Sequence, residues 1–373
     1  MSKKNKDETL SLADDFNAVR DQSIPRQIGP YRIIKKLGEG GFGVVYLARQ
    51  EEPVRRSVAI KILQFGRDSQ NVVTRFKAEQ QALAIMNHEN IARVFDAGVT
   101  DSGQPYFVME YVEGIQIKDF CDREKLTIRD RLGLFISVCE GIQHAHQKGI
   151  IHRDLKPSNV IVSKQEANPV PKIIDFGIAK AMGDDLIEDS IKTQMGFIIG
   201  TPAYMSPEQM EGAGVVLDTR SDIYSLGVML YELLVDSPPF DIEKMKEEVR
   251  SRFAAFIREE TPFKPSDRLA ETNRTKSTVA EYRKTEGSVL VKQIRGDLDW
   301  IVLKALEKSP EHRYASASEF ASDIRRHLDD QPVVAGPPST IYRLKKFVRR
   351  HKLGVIAAAA IATTLVAGVT GLT

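Results

Sequence analysis

The residues best suited to chemistry fall in three short runs. Gly38-Glu39-Gly40-Gly41-Phe42-Gly43-Val44-Val45 places four glycines in six positions. Backbone without Cβ atoms comes close to phosphate oxygens, and its amide N–H groups then face them unobstructed. The same turn also suits a plain glycine-rich hairpin or a dinucleotide fingerprint. A dinucleotide site needs strand, glycines and then helix, whereas here the glycines run directly into a second strand, so that reading loses. Val58-Ala59-Ile60-Lys61 ends in a lysine that, taken alone, serves solvent as readily as phosphate. The third run is His152-Arg153-Asp154-Leu155-Lys156-Pro157-Ser158-Asn159, with Asp175-Phe176-Gly177 following 21 residues after Asp154. His144, His146 and His152 invite a metal reading. His144 and His146 sit two apart on a predicted helix, where side chains diverge, so structural histidines are expected.

Elements must hold these runs. Tyr31–Leu37, Val44–Arg49 and Ser57–Leu63 read as strands. Val73 to Met86 has helical periodicity through Phe76, Leu83 and Met86. Asp222 opens the apolar helix Ser221-Asp222-Ile223-Tyr224-Ser225-Leu226-Gly227, where an acid also suits a helix start. Between Phe240 and Asp297 lies a long charged stretch, with a helix expected around Glu243–Arg258. It reads as an insertion, equally a docking surface or a solvated spacer. Helices then resume at Asp299–Leu306 and Ala317–Leu328.

With Ser206-Pro207-Glu208 closing the series, the ordered motifs resemble the eukaryotic-like (Hanks-type) serine/threonine protein kinases of bacteria. The resemblance spans Tyr31 to Leu328, about four fifths of the chain. It implies an α+β bilobal fold with a small β-rich lobe over 31–111 and a mainly helical lobe over 112–328. It also implies ATP and Mg²⁺ as cofactors, with Mn²⁺ as a substitute, and protein Ser/Thr hydroxyls as acceptors. Leu37, Gly38, Glu39, Gly40, Gly41, Phe42, Gly43, Val45 and Ala59 would enclose the nucleotide. Met109 would be the gatekeeper, and Glu110 and Val112 the hinge that meets adenine. Lys61 would hold the α- and β-phosphates and pair with Glu79, although Glu79 equally suits a solvated helix position. Asn159 and Asp175 would hold the metal, as hard oxygen ligands. Asp154 would accept the hydroxyl proton and Lys156 would neutralise the transferring group. Thr201, in Gly200-Thr201-Pro202-Ala203-Tyr204, would bond both, and Lys156 favours Ser/Thr over tyrosine acceptors. Asp222 would hold the catalytic-loop backbone, and Arg313 would pair with Glu208. Ser206 stands where the family usually has alanine.

Residues 175–208 hold Ser190 and Thr193, while Arg153, just before Asp154, and Lys180, just after Asp175-Phe176-Gly177, would form a basic pocket suited to a phosphorylated side chain. Autophosphorylation at Thr193, with Ser190 second, is the expected regulation. The alternative function is a pseudokinase scaffold. Lys61, Asp154, Asn159 and Asp175 are all present, which favours the enzyme.

The chain has 373 residues, 42% hydrophobic and 28% charged, with a net charge of +2. Wholesale disorder, a fibrous protein and general nucleic-acid binding are therefore all disfavoured. Cys121 and Cys139 form no C-x-x-C pair, which removes a disulfide scaffold and suits a reducing compartment. Residues 1–30 read as a polar, flexible tail or a short docking helix, without the apolar core of a secretory signal. Residues 329–352 read as a Pro/Gly linker and a basic juxtamembrane segment, with six basic side chains between Arg343 and Lys352. Leu353–Thr373 then runs 21 residues without a charge. As a helix it measures about 31 Å against a hydrocarbon core of about 30 Å. The expectation is a single-pass inner-membrane helix with the kinase domain cytoplasmic and contact with anionic lipids through 343–373. A buried helix of a soluble domain is the alternative. Ala358 and Ala362 form a small-x-x-x-small pair compatible with a homodimer.

Overall fold

Val44, Tyr46 and Ala48, then Val58, Ile60 and Ile62, recur at every second position, and in the structure all are buried in one cluster. Period-two burial of this kind makes one face of a sheet the core. The computed structural model describes residues 25–40, 43–63, 81, 83, 85–163, 168–176, 202–211, 217–240, 253–271, 278–352, 354–358, 360, 361 and 364. The chain divides into two units, one of Met1–Ala84 with Arg93–Tyr111 and one of Ile85–Ala92 with Val112–Thr373.

The first unit is an antiparallel sheet of β1 (Gln27–Ile28), β2 (Tyr31–Gly40), β3 (Gly43–Gln50), β4 (Arg56–Leu63), β5 (Val94–Val99) and β6 (Pro105–Glu110), ordered β1-β2-β3-β4-β6-β5. The end of the expected tail is thus structured, since β1 pairs with β2 and buries Ile28. The glycine turn closes the β2–β3 hairpin with Gly40 opposite Gly43. Within the helix expected over 73–86, Gln81 and Leu83 are helical and Leu83 is buried, while Glu79 lies outside the described residues.

Residues 85–92, read from sequence as part of the first lobe, join the second unit. Ile91 bridges Ile173, Asn90 Nδ2 donates to the Pro171 carbonyl (2.9 Å), and Ala92 N–H donates to the Ile173 carbonyl (2.9 Å). The second unit contains β7 (Gly114–Gln116), β8 (Val160–Ser163) and β9 (Val170–Ile173) as one sheet. Its first three helices are α1 (Ile117–Arg123), α2 (Ile128–Gln147) and α3 (Arg220–Val235). Thr127 and Asp130 form a reciprocal capping box that starts α2. Every residue of α3 except Arg220 and Glu232 is buried. A helix apolar all round must be surrounded, and α3 is the axis of this unit. Cys121 and Cys139 are free and buried, and burial pushes the Cys121 thiol up to about 11.

The stretch expected as an insertion is part of this core. It forms α4 (Phe253–Glu259), α5 (Pro265–Glu271) and α6 (Gly287–Ile294), then leads into α7 (Asp297–Ala305) and α8 (Ala317–Leu328). Gly227 of α3 lies against α7, where an added Cβ would fall 2.8 Å from Ala305 Cβ. Arg283, 1% exposed, donates to the carbonyls of Leu233 (2.9 Å), Leu234 (2.8 Å) and Val279 (2.9 Å). Arg131 donates to Leu233 as well (3.3 Å). The last carbonyls of a helix have no partner within it, and these two guanidiniums supply one for α3. Burial, then the neighbouring Arg131, pulls the Arg283 guanidinium down to about 10. Arg283→Met strips Leu234 and Val279 of these donors, at about 1–3 kcal/mol for each buried group left unsatisfied. The urea midpoint of the full chain is expected to fall accordingly, and an unchanged midpoint would restore the spacer reading.

Residues 329–339 are held by Asp323, whose carboxylate accepts the N–H groups of Val334 (2.5 Å) and Ala335 (2.9 Å) and the Tyr314 hydroxyl (2.9 Å). The expected linker is therefore a docked strap, and it ends in α9 (Thr340–Arg350). Among the described residues no helix is long and apolar enough to cross a membrane. Most of 353–373 lies outside them.

Candidate active site

The two faces of the first unit's sheet divide the labour. Directly opposed residues on neighbouring antiparallel strands share a face. Val45 opposes Lys61, which opposes Phe107, and Leu47 opposes Ala59, which opposes Met109. Val45, Ala59, Lys61 and Met109 therefore share the face away from the core cluster, with Ala59, Lys61 and Met109 buried. The Glu110 carboxylate accepts the Arg93 N–H (3.2 Å), and its own N–H donates to the Arg93 carbonyl (2.8 Å). Leu37 is exposed, and Glu39 forms an ion pair with Lys36. Gly43, at φ +144°, is required by packing, because an added Cβ would lie 2.0 Å from the Ile62 carbonyl oxygen. At Gly38 and Gly40 an added Cβ meets nothing within 4 Å among the described residues. The described residues make no demand for glycine there.

In the second unit, Lys156 Nζ lies 2.9 Å from Asp154 Oδ2. Asn159 Nδ2 donates to that same oxygen (3.2 Å) and to the Asp154 carbonyl (2.8 Å). With its donor so committed, Asn159 presents its amide oxygen to any ligand. Ile174 N–H donates to the Asn159 carbonyl (2.9 Å), which ties the strand preceding Asp175 to the loop that carries Asn159. Arg153 and Asp175 both have φ +64°, a left-handed conformation that non-glycine residues avoid. Such backbone persists where its surroundings hold it, and it clusters at functional sites.

The surroundings that hold Arg153 are visible. The fully buried Asp222 accepts the N–H of His152 (2.8 Å) and of Arg153 (2.9 Å), and its carboxylate also meets His146 Nε2 (2.8 Å). Burial alone would raise this carboxyl, but the bonds from His146 and the backbone overcome it and hold Asp222 below its ordinary range. From the opposite side, Gln209 Nε2 donates to the Arg153 carbonyl (2.9 Å). Gln209 is oriented in turn by Ser206, whose N–H (3.0 Å) and hydroxyl (3.2 Å) both donate to its Oε1. The serine at this position thus has work that alanine could not do. Glu208 and Arg313 form a bidentate pair at 2.7 and 2.8 Å, and Ser221 donates to Glu208 (2.9 Å). Burial opposes the ionised Glu208, and Arg313 more than offsets it, leaving the carboxyl lowered.

His152 is held on both ring nitrogens: its Nδ1 accepts the Asp154 N–H (3.3 Å), so Nε2 carries the proton toward the Ile174 carbonyl (3.2 Å). One neutral tautomer satisfies both atoms, and burial holds the ring below its ordinary value of 6.5. A group depressed in the folded state contributes fully above its unfolded pKa and loses that contribution as pH falls through the folded one. Thermal midpoints are therefore expected to fall as pH drops below about 6.5. His152→Asn should start lower at pH 8 and show a shallower fall, and a parallel fall would assign the effect elsewhere. Among the described residues no cluster of His, Cys, Asp and Glu is arranged to hold a metal by itself.

A protein kinase domain model matches residues 31–324. The chain belongs to the protein kinase family. It is 37% identical over 312 residues to the serine/threonine-protein kinase PknB of Mycobacterium tuberculosis, covering 81% of this chain and 43% of that protein. It is 33% identical over 308 residues to the serine/threonine-protein kinase Pkn1 of Myxococcus xanthus, covering 82% and 39%. The chain thus spans less than half the length of these relatives. The PknI kinase domain of M. tuberculosis shares the fold, with a TM-score of 0.57 at 24% identity over 82% of this chain and 99% of that one. Of the site residues expected from sequence, Gly41, Phe42, Glu79, Lys180, Ser190, Thr193 and Thr201 lie outside the described residues. Gln209, and the contact of His146 with Asp222, escaped the sequence reading. Gln209 had a local signal in its three-residue spacing from Ser206, whereas His146 had none.

Proposed function

We propose that this chain is a serine/threonine protein kinase that moves the γ-phosphoryl group of Mg·ATP to Ser and Thr hydroxyls of proteins, including its own Ser190 and Thr193. The carrying observation is the Asp154–Lys156–Asn159 cluster, 2.9 and 3.2 Å from one carboxylate oxygen, on a backbone held by Asp222 and Gln209. Phosphoryl transfer needs positioning and charge neutralisation more than covalent chemistry. In this arrangement Asp154 orients the acceptor hydroxyl and takes its proton, and the Lys156 ammonium offsets charge on the transferring group. The open space above Gly38 and Gly40 suits close approach of phosphate oxygens to backbone amides. The Asn159 amide oxygen and the Asp175 carboxylate are hard ligands, and two such groups plus phosphates suit Mg²⁺, which seldom takes a full protein cage. When bound, the ion neutralises phosphate charge.

The uncharged run 353–373, preceded by the basic segment, supports an inner-membrane anchor with the kinase domain on the cytoplasmic side. In γ-phosphoryl transfer assays on the full chain, Asp175→Asn should raise the Mg²⁺ concentration for half-maximal rate by about tenfold or more. An unchanged Mg²⁺ requirement would remove Asp175 from the metal site.

A further inference from the structure

Helix α9 is docked with the wrong side out for a soluble domain. Its inward face is polar. Tyr342 donates to Asp297 (2.9 Å) and accepts the Val333 N–H (3.0 Å), and buried Lys346 reaches the same Asp297 (2.5 Å). Arg349 reaches Asp330 (3.1 Å), and the Trp300 and Tyr342 rings meet edge to face at 5.4 Å. Burial opposes the charge on Asp297, but His327 and Lys346 overcome it and hold the carboxyl at about 2. At about 100° per residue, the opposite side of the helix carries Ile341, Leu344, Phe347 and Val348, exposed by 80, 62, 57 and 39%. Exposed Arg343 and Arg350 border this stripe on one side and Lys345 on the other. Beyond Lys345 an open cleft of about 710 Å³ adds Arg129, Lys284, Lys292 and Arg295.

We infer that α9 and this basic border form a membrane-apposed face that lies flat on an anionic bilayer, the apolar stripe among the acyl chains and the cations at the headgroups. The inference rests on the proposed anchoring by 353–373 and deepens it. An apolar stripe between basic margins is the pattern of helices that lie in the interface. The uncharged run begins three residues after α9 ends, so a membrane is the surface that run would bring to it. Because Asp297 clamps α9 to the folded unit, the bilayer then sees one fixed face of that unit rather than a domain on a free tether.

The test is an environment-sensitive fluorophore on Leu344→Cys in the full chain, whose two native cysteines are buried. The chain is reconstituted into phosphatidylcholine vesicles with and without phosphatidylglycerol. The same vesicles are extracted at alkaline pH, which reports the anchor independently. The expected result is a blue shift and loss of iodide quenching with phosphatidylglycerol, reversed by Arg343→Gln with Lys345→Gln. Those two changes should cost about fivefold each in the affinity of the face for anionic lipid. A probe that stays quenched in a chain resisting extraction would overturn this inference and leave the anchor standing. A shifted probe in a chain that is extracted would uphold the face and reject the anchor. A shift independent of lipid charge, with the unlabelled Leu344→Cys chain disulfide-linking into pairs, would assign the stripe to a second copy and overturn the inference.

Discussion

Asp154→Asn is expected to lower phosphoryl transfer by about 10³-fold while leaving nucleotide affinity nearly unchanged. The substitution keeps the volume and one oxygen acceptor. It removes the charge that meets Lys156 at 2.9 Å and the basic oxygen that would take the hydroxyl proton. A positioned general base is worth about 10²–10⁴ in rate, and loss of the charge that orients Lys156 adds to that. The expected signature is a fall in kcat with little change in KM for ATP. A fall in KM-dependent rate alone, with kcat preserved, would place Asp154 in binding and move proton acceptance elsewhere.

Asp222→Ala is the second large effect, and it acts from outside the reacting atoms. The change leaves the buried N–H of His152 and the part-buried N–H of Arg153 without an acceptor, and it leaves His146 facing a cavity. One buried and one part-buried donor, at about 1–3 kcal/mol for a fully buried one, predict a loss of about 3 kcal/mol in unfolding free energy. Catalysis should suffer more than stability implies, because the bond to Arg153 N–H holds the φ +64° residue immediately before Asp154. Rates are therefore expected to fall at temperatures where the variant remains folded. Asp222→Asn, which keeps one acceptor oxygen, should lie between the two. Equal activity of folded Asp222→Ala and the parent chain would show that Gln209 alone holds the loop.

What could be read in advance follows from what the residues do locally. Strand faces, the glycine hairpin and α8 were legible because apolar spacing sets them within one element. The roles of Asp222, Glu208 and Arg313 were legible through the family resemblance alone, since partners 69 to 105 residues apart leave no periodic trace. The buried Arg283 defeated the same reading. A charged stretch looks solvated until the α3 carbonyls that need its guanidinium are placed beside it. Lys346 misled in a similar way, standing among six basic residues yet buried on Asp297. Gln209 matters because it donates to the Arg153 carbonyl, and Ser206 adds a hydroxyl bond to it that alanine would lack, a link invisible until that carbonyl is seen to need a donor.

The central claim is tested most directly by incubating the full chain with Mg·ATP labelled at the γ-phosphate and a generic basic protein, then hydrolysing the products to phosphoamino acids. Label is expected on phosphoserine and phosphothreonine, in the added protein and in the chain itself, and none with Asp154→Asn. Nucleotide binding without transfer, or label confined to phosphotyrosine, would contradict it.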